Sequence, residues 1–176
     1  MVSEEARQMN ISDGFDPAAE IGPLVSKDHY DNVMDYIRKG KDEGAIICTG
    51  GNNPKDKGYY VEPTIFKVDS NEHTIVKEEI FGPVLVAIPF STKEEAISLA
   101  NDSLYGLSSS VWTKDISKAL YCINELDAGW VFANSPARSD PHFPLGGNKQ
   151  SGNTRELGKT GVYNYTKLKA VNIVYE

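Results

Sequence analysis

The stretch VLVAIPFSTKEEAISLANDSLYGLSSSVWTKDISKALYCINELDAGWVFA, residues 84–133, alternates short apolar runs with segments of helical period. Residues 84–88 have the length and β-branched content of a buried strand, and 108–112 and 130–133 read as strands too. Between them, Ala96, Ile97, Leu99 and Ala100 form one apolar stripe and Ala119, Leu120, Ile123 and Leu126 another. Ser91 or Thr92 caps the first helix, with Glu94 and Glu95 favourable in its first turn, and Asp115 caps the second. Helical segments of 10–12 residues between short strands are the signature of βαβ units. They predict an α/β fold with a largely parallel sheet and covering helices. Functional groups in such sheets collect beyond the carboxyl ends of the strands. Asn134 stands at such an end, where its amide can orient a carbonyl or an oxyanion. A plain loop-capping asparagine fits the same position.

Immediately upstream, VKEEIFGPVLVAIP (76–89) runs from paired carboxylates through an aromatic residue and Gly82-Pro83 into the first strand. Pro83 restricts its own φ and its neighbour's backbone, so Glu78, Glu79 and Phe81 sit on a rigid corner. A carboxylate held there can bind ligand hydroxyls, and the ring can cover a ligand's ring. The alternative is a strand entry with Phe81 in the core and both glutamates in water. Further back, YVEPTIF (60–66) alternates but carries Pro63, which predicts an edge or irregular strand. Ser26 caps a helix with Tyr30, Val33, Met34 and Ile37 at helical spacing, stopped by Gly44. Cys48, in a short strand at 45–48, has no histidine nearby in sequence and reads as a buried structural thiol. His73 has no partner at metal-ligand spacing and reads as a surface histidine; the metal templates are absent. Residues 3–9, SEEARQM, look like the tail of a helix, so the chain is expected to be the later part of something larger.

Downstream, residues 135–157 are long and mostly aperiodic, and a connection of that length is usually functional or disordered. With His142, Phe143, Pro144 and Leu145 ahead of Gly146-Gly147, this one reads as an ordered loop lining something. Its glycines follow neither phosphate-loop order. The chain closes on LKAVNIVY (168–175), a strand-like run that serves as an edge or pairs with another chain.

Composition narrows the function classes. Of 176 residues 40% are apolar, enough for a real core. A formal charge of −7 argues against nonspecific nucleic-acid binding. The apolar runs are far short of a membrane span, and the first residues lack a signal-peptide plan. Two cysteines do not make a disulfide framework, which points to a reducing, cytoplasmic setting.

Three motifs then fit together in order: KEEIFGPVL (77–85), GWVFAN (129–134) and FPLGGNKQSGNTRELGKTGVYNYTKLKAV (143–171). With EIGPLVS at 20–26, they resemble the aldehyde dehydrogenase superfamily over almost the whole chain. The resemblance implies the C-terminal part of such an enzyme, with 1–167 a partial catalytic domain and 168–176 the strand of an inter-subunit sheet. It implies that Glu79 hydrogen-bonds the nicotinamide ribose of NAD or NADP and that Phe81 contacts the nicotinamide end. Asn134, Phe143 and Leu145 fall on the substrate side; Leu145 replaces the family's phenylalanine in the aldehyde tunnel, implying a wider or more aliphatic mouth. Glu156 corresponds to a glutamate associated with water and proton relay. The usual SGxGRE reads SGNTRE, with Thr154 in place of a glycine beside Arg155.

The family's nucleophile lies in a Gly-Gln-x-Cys type segment, and neither Cys48 nor Cys122 stands in that setting. The general-base glutamate and the glycine-containing cofactor loop also belong upstream. Oxidation through a thiohemiacetal needs that thiolate, so the chain alone is expected to be inactive and the full cofactor site to lie partly outside it. The expected partners are an aldehyde, further copies of the chain or a complementing N-terminal chain, with no membrane and no nucleic acid. A non-catalytic module that assembles with a full-length relative is the alternative. An independent enzyme built on Cys48 or His142 is disfavoured, because no base pairs visibly with either.

Overall fold

The structure, a computed structural model, describes residues 1–136 and 138–176, which divide into two units, Met1–Phe90 and Ser91–Glu176. In the first unit, helix α1 (Val2–Gln8) is followed by helix α2 (Lys27–Asp42). The Ser26 hydroxyl accepts the His29 amide at 3.2 Å, satisfying a donor that the first turn leaves orphaned. Val33 and Ile37 point from α2 into the core, and Gly44 ends the segment at φ +84°, a conformation that disfavours residues with a Cβ. Strands β1 (Ile46–Thr49), β2 (Thr64–Lys67) and β3 (Val84–Ala87) form a sheet in the order β1-β2-β3, and helix α3 (Thr74–Lys77) lies between β2 and β3 in sequence. β1 and β2 are antiparallel; β2 and β3 are parallel, with Thr64 opposite Val84 and Lys67 opposite Ala87. Phe66, Val61, Val68, Ile75 and Ile80 close the core against α2. Full burial of a side chain such as Phe66 contributes about 1.5–3 kcal/mol.

The second unit begins with helix α4 (Lys93–Asn101), capped by the Thr92 hydroxyl on the Glu95 amide at 3.1 Å. Strand β5 (Ser108–Val111), helix α5 (Ile116–Glu125) and strand β6 (Trp130–Ala133) follow the short strand β4 (Tyr105–Gly106). β5 and β6 are parallel and α5 crosses between them, so this βαβ unit is as the spacing predicts. Ala119 and Cys122 are the buried residues of α5. β4 pairs antiparallel with β7 (Asn148–Lys149), and the chain continues through the short helix α6 (Gly158–Val162).

The fold is α/β, and its pairings are mixed rather than largely parallel. Residues 84–87 pair with β2 and not with 108–111, because the second parallel neighbour comes from earlier in the chain. Nor is 60–66 an edge. The strand starts at Thr64, just after Pro63, and is central; the proline sits where no ladder donor is required. Cys48 is half-buried, whereas Cys122 is the buried thiol. The His73 side chain is only 14% exposed, tucked between Glu43 and Asp69 at 3.9 and 3.7 Å, and is not a surface group. Residues 168–176 form neither helix nor strand within this chain, and Leu168, Val171, Ile173, Val174 and Tyr175 are exposed.

Candidate active-site elements: the 78–83 corner and the 134–158 loop

The corner after α3 is fastened from three sides. The Tyr36 hydroxyl donates to Glu78 Oε2 at 2.8 Å, Ile80 is buried in the core, and the Pro83 carbonyl accepts the Thr64 amide at 2.8 Å. Gly82 lies so close to α2 that a Cβ there would meet Val33 Cγ2 at 2.7 Å. Between these anchors Phe81 is 75% exposed at φ 55°, a left-handed conformation that is strained for a bulky residue. Phe81 is therefore not a core residue. Of the paired carboxylates, Glu78 is engaged by Tyr36, whereas Glu79 is exposed with no hydrogen-bond or ion-pair partner among the described residues. A shallow depression of about 360 Å³ adjoins both, walled by Val76, Ile80 and Val86 among others. An open carboxylate is acceptor-only and suits a vicinal diol; an exposed ring beside it suits a flat heterocycle. The corner thus suits a ligand that carries a vicinal diol next to a flat ring.

In the second unit several hydrogen bonds tie the described residues of the loop after β6. Asn134, at φ 53°, uses both ends of its amide on Thr113: Oδ1 accepts the Thr113 amide and Nδ2 donates to the Thr113 carbonyl, each at 2.8 Å. This is the loop-capping arrangement, and it ties the ends of β5 and β6 together. Leu145 and Glu156 form an isolated antiparallel bridge, each amide donating to the other's carbonyl at 2.7 Å. Arg155 fixes the turn around them, donating to the Gly147 carbonyl at 2.6 Å, the Thr154 carbonyl at 3.0 Å and Asn148 Oδ1 at 2.8 Å. Thr154 is not at a positive φ, so the threonine fits where the family pattern has glycine. Gly129 admits the Gly146 carbonyl so closely that a Cβ would lie 1.9 Å from it, which seats the loop against the start of β6.

Leu145 is half-buried, whereas the Glu156 side chain and Phe143 are exposed, Phe143 by 60%. The structure thus joins Leu145 to Glu156, and Phe143 lies two residues before the bridge. Close by, His142 donates its amide to Asp140 Oδ1 and holds its ring nitrogen 2.9 Å from the same oxygen. These contacts lower the Asp140 carboxyl below the usual range. Sequence reasoning missed the anchoring groups His29 and Tyr36, and did not identify Asn148 as a partner of Arg155. The available signal was the i, i+7 spacing of His29 and Tyr36 on the face of α2 that carries Val33.

Mixed sheets and covering helices define an α/β protein, and comparison with known proteins is specific. Residues 1–171 match the aldehyde dehydrogenase family. An aldehyde dehydrogenase of Davidiella tassiana is 46% identical over 170 residues, covering 97% of this chain and 34% of that protein. A betaine aldehyde dehydrogenase of Brucella melitensis biotype 2 (strain ATCC 23457) is 41% identical over 174 residues, covering 97% and 36%. Among solved structures, the NAD+ complex of aldehyde dehydrogenase from Bacillus cereus superposes with a TM-score of 0.93 at 44% identity, covering 97% of this chain and 35% of that one. The chain belongs to the aldehyde dehydrogenase family. It spans about a third of the length of these relatives.

Proposed function

We propose that this chain is the C-terminal part of an NAD(P)-dependent aldehyde dehydrogenase that oxidises an aldehyde to a carboxylic acid. The observation that carries the reading is the corner itself: an unpartnered Glu79 carboxylate beside an exposed Phe81 ring on strained, firmly anchored backbone. Glu79 accepts hydrogen bonds from the ribose hydroxyls, and Phe81 covers the edge of the nicotinamide and keeps water from it. The bound cofactor supplies the oxidising equivalent. Phe143 and Leu145 line the aldehyde site, and Asn134 shapes it by holding the end of β6 to Thr113. Glu156, whose backbone is bridged to Leu145 while its carboxylate is exposed, takes and returns a proton through water.

The nucleophilic thiolate that the thiohemiacetal route needs comes from residues outside these 176. Buried Cys122, on the covered face of α5, and half-buried Cys48, on β1, do not serve as nucleophile. Residues 1–167 act as part of the catalytic domain, and 168–176 pair as a strand with another subunit. The setting is cytoplasmic, consistent with two free thiols.

The test is complementation. The 176-residue chain is assayed for aldehyde-dependent reduction of NAD+ or NADP+, alone and after co-expression with a chain carrying the N-terminal portion of a relative. The expected result is no turnover alone, turnover in the complex, and at least a severalfold higher cofactor KM for E79Q in that complex. Turnover by the chain alone overturns the assignment of the nucleophile. A stable complex without turnover overturns the enzymatic reading in favour of a non-catalytic module that assembles through its exposed terminal run.

A further inference from the structure

Helix α2 presents three residues to the corner, His29, Val33 and Tyr36, spaced i, i+4 and i+7 and so aligned on one face. Val33 packs against Gly82 and Tyr36 holds Glu78. His29 Nε2 lies 2.6 Å from the Phe81 carbonyl oxygen, across 52 residues of sequence, and the two rings sit tilted with centroids 6.5 Å apart. A carbonyl oxygen only accepts, so Nε2 carries the hydrogen; imidazole meets that demand in the appropriate neutral tautomer and when protonated. Phe81 is also the one residue other than glycine at positive φ in the first unit, among the described residues. Such a conformation persists only where its surroundings over-determine it.

We propose that His29 is a positioning residue: its hydrogen bond to the Phe81 carbonyl holds Phe81 in the left-handed conformation and thereby sets where the Phe81 ring and the Glu79 carboxylate stand. The role of the corner as a cofactor contact rests on the reading above; the hold on Phe81 does not. Val33 and Ile80 fix where the corner sits, but neither offers a donor to the Phe81 carbonyl. Without His29 the peptide after Phe81 is free to turn, and the ring moves with it.

The test follows Phe81 by NMR in the isotope-labelled 176-residue chain, through Cα and Cβ shifts that report its φ. In H29L these shifts are expected to move toward extended values while the thermal midpoint changes little. H29Q, with an amide donor of similar reach, is expected to restore them. H29N, whose amide is too short to reach, gives the same readout if H29L does not fold. Phe81 shifts unchanged in both H29L and H29N overturn the proposal, and so do equal displacements in H29L and H29Q. In the complemented enzyme, H29L is expected to raise the cofactor KM about fivefold, the scale of one hydrogen bond, with the aldehyde KM unchanged. A displaced Phe81 with an unchanged cofactor KM leaves the positioning role standing and overturns the cofactor reading of Glu79 and Phe81.

Discussion

Glu43 shows how one carboxylate couples two helices. It stands just past the end of α2 and accepts from both the amide and the hydroxyl of Thr74, the first residue of α3. These two bonds, the hydroxyl's first, hold its carboxyl below the ordinary glutamate range. The unfolded chain therefore binds a proton more readily than the folded one. The associated stability is fully present above the unfolded value of about 4.3 and is lost as pH falls through the lower folded value. E43A is expected to destabilise the protein at neutral pH by about 1 kcal/mol or less, the size of a lost cap discounted for solvent screening. E43Q is expected to flatten the acid limb of a urea-unfolding series below pH ~4.3. Parallel acid limbs for E43Q and the native chain would refute the coupling. None of this is legible in sequence, because Glu43 and Thr74 are 31 positions apart. The same distance problem hid the Glu43 side of the cover over His73, whereas Asp69 on its other side is local in sequence. Asn134 was placed correctly at a strand end, but its bond to Thr113 depends on a loop conformation that no local pattern encodes.

At the scale of elements, what is local was legible and what is pairwise was not. The caps at Ser26, Thr92 and Asp115 each accept the expected amide, because a cap is decided within a few residues. The unit β5-α5-β6 was legible for the same reason: strand, crossover and strand are consecutive. The neighbour of β3 was not, since choosing β2 over β5 requires knowing which apolar faces meet. Pro63 misled because proline weakens a strand only where its missing N–H is needed, and here the strand begins one residue later. The cap of α5 allows a direct measurement. Asp115 Oδ1 accepts the Ser117 and Lys118 amides at 2.9 and 3.2 Å. D115A should lower the thermal midpoint by about 2–4 °C, as about 1 kcal/mol does for a chain of this size, and D115N by clearly less. Equal midpoints for D115A and the native chain would show that α5 is held by packing alone.

For the whole molecule, the bounds are chemical. No described helix is long and apolar enough to cross a membrane, and no cluster of metal-ligating side chains occurs among the described residues. The formal charge of −7 disfavours nonspecific attraction to a polyanion. The feature most in need of a partner is the terminal run. Residues 167–176 make no hydrogen bond within the chain among the described residues, yet they include five exposed large apolar side chains. Laid out as a strand, the run would place Val171, Ile173 and Tyr175 on one face and offer its backbone donors and acceptors to another edge. The expected outcome is self-association or assembly with a larger relative through this run. The double variant V171D/I173D puts two charges on that face and touches nothing in either unit's hydrogen bonding. By sedimentation at micromolar concentration, the native chain should associate and the double variant should remain monomeric, with the same thermal midpoint for both once each is measured dilute. A native chain that stays monomeric, both alone and with a full-length relative, would rule out 168–176 as the inter-subunit strand.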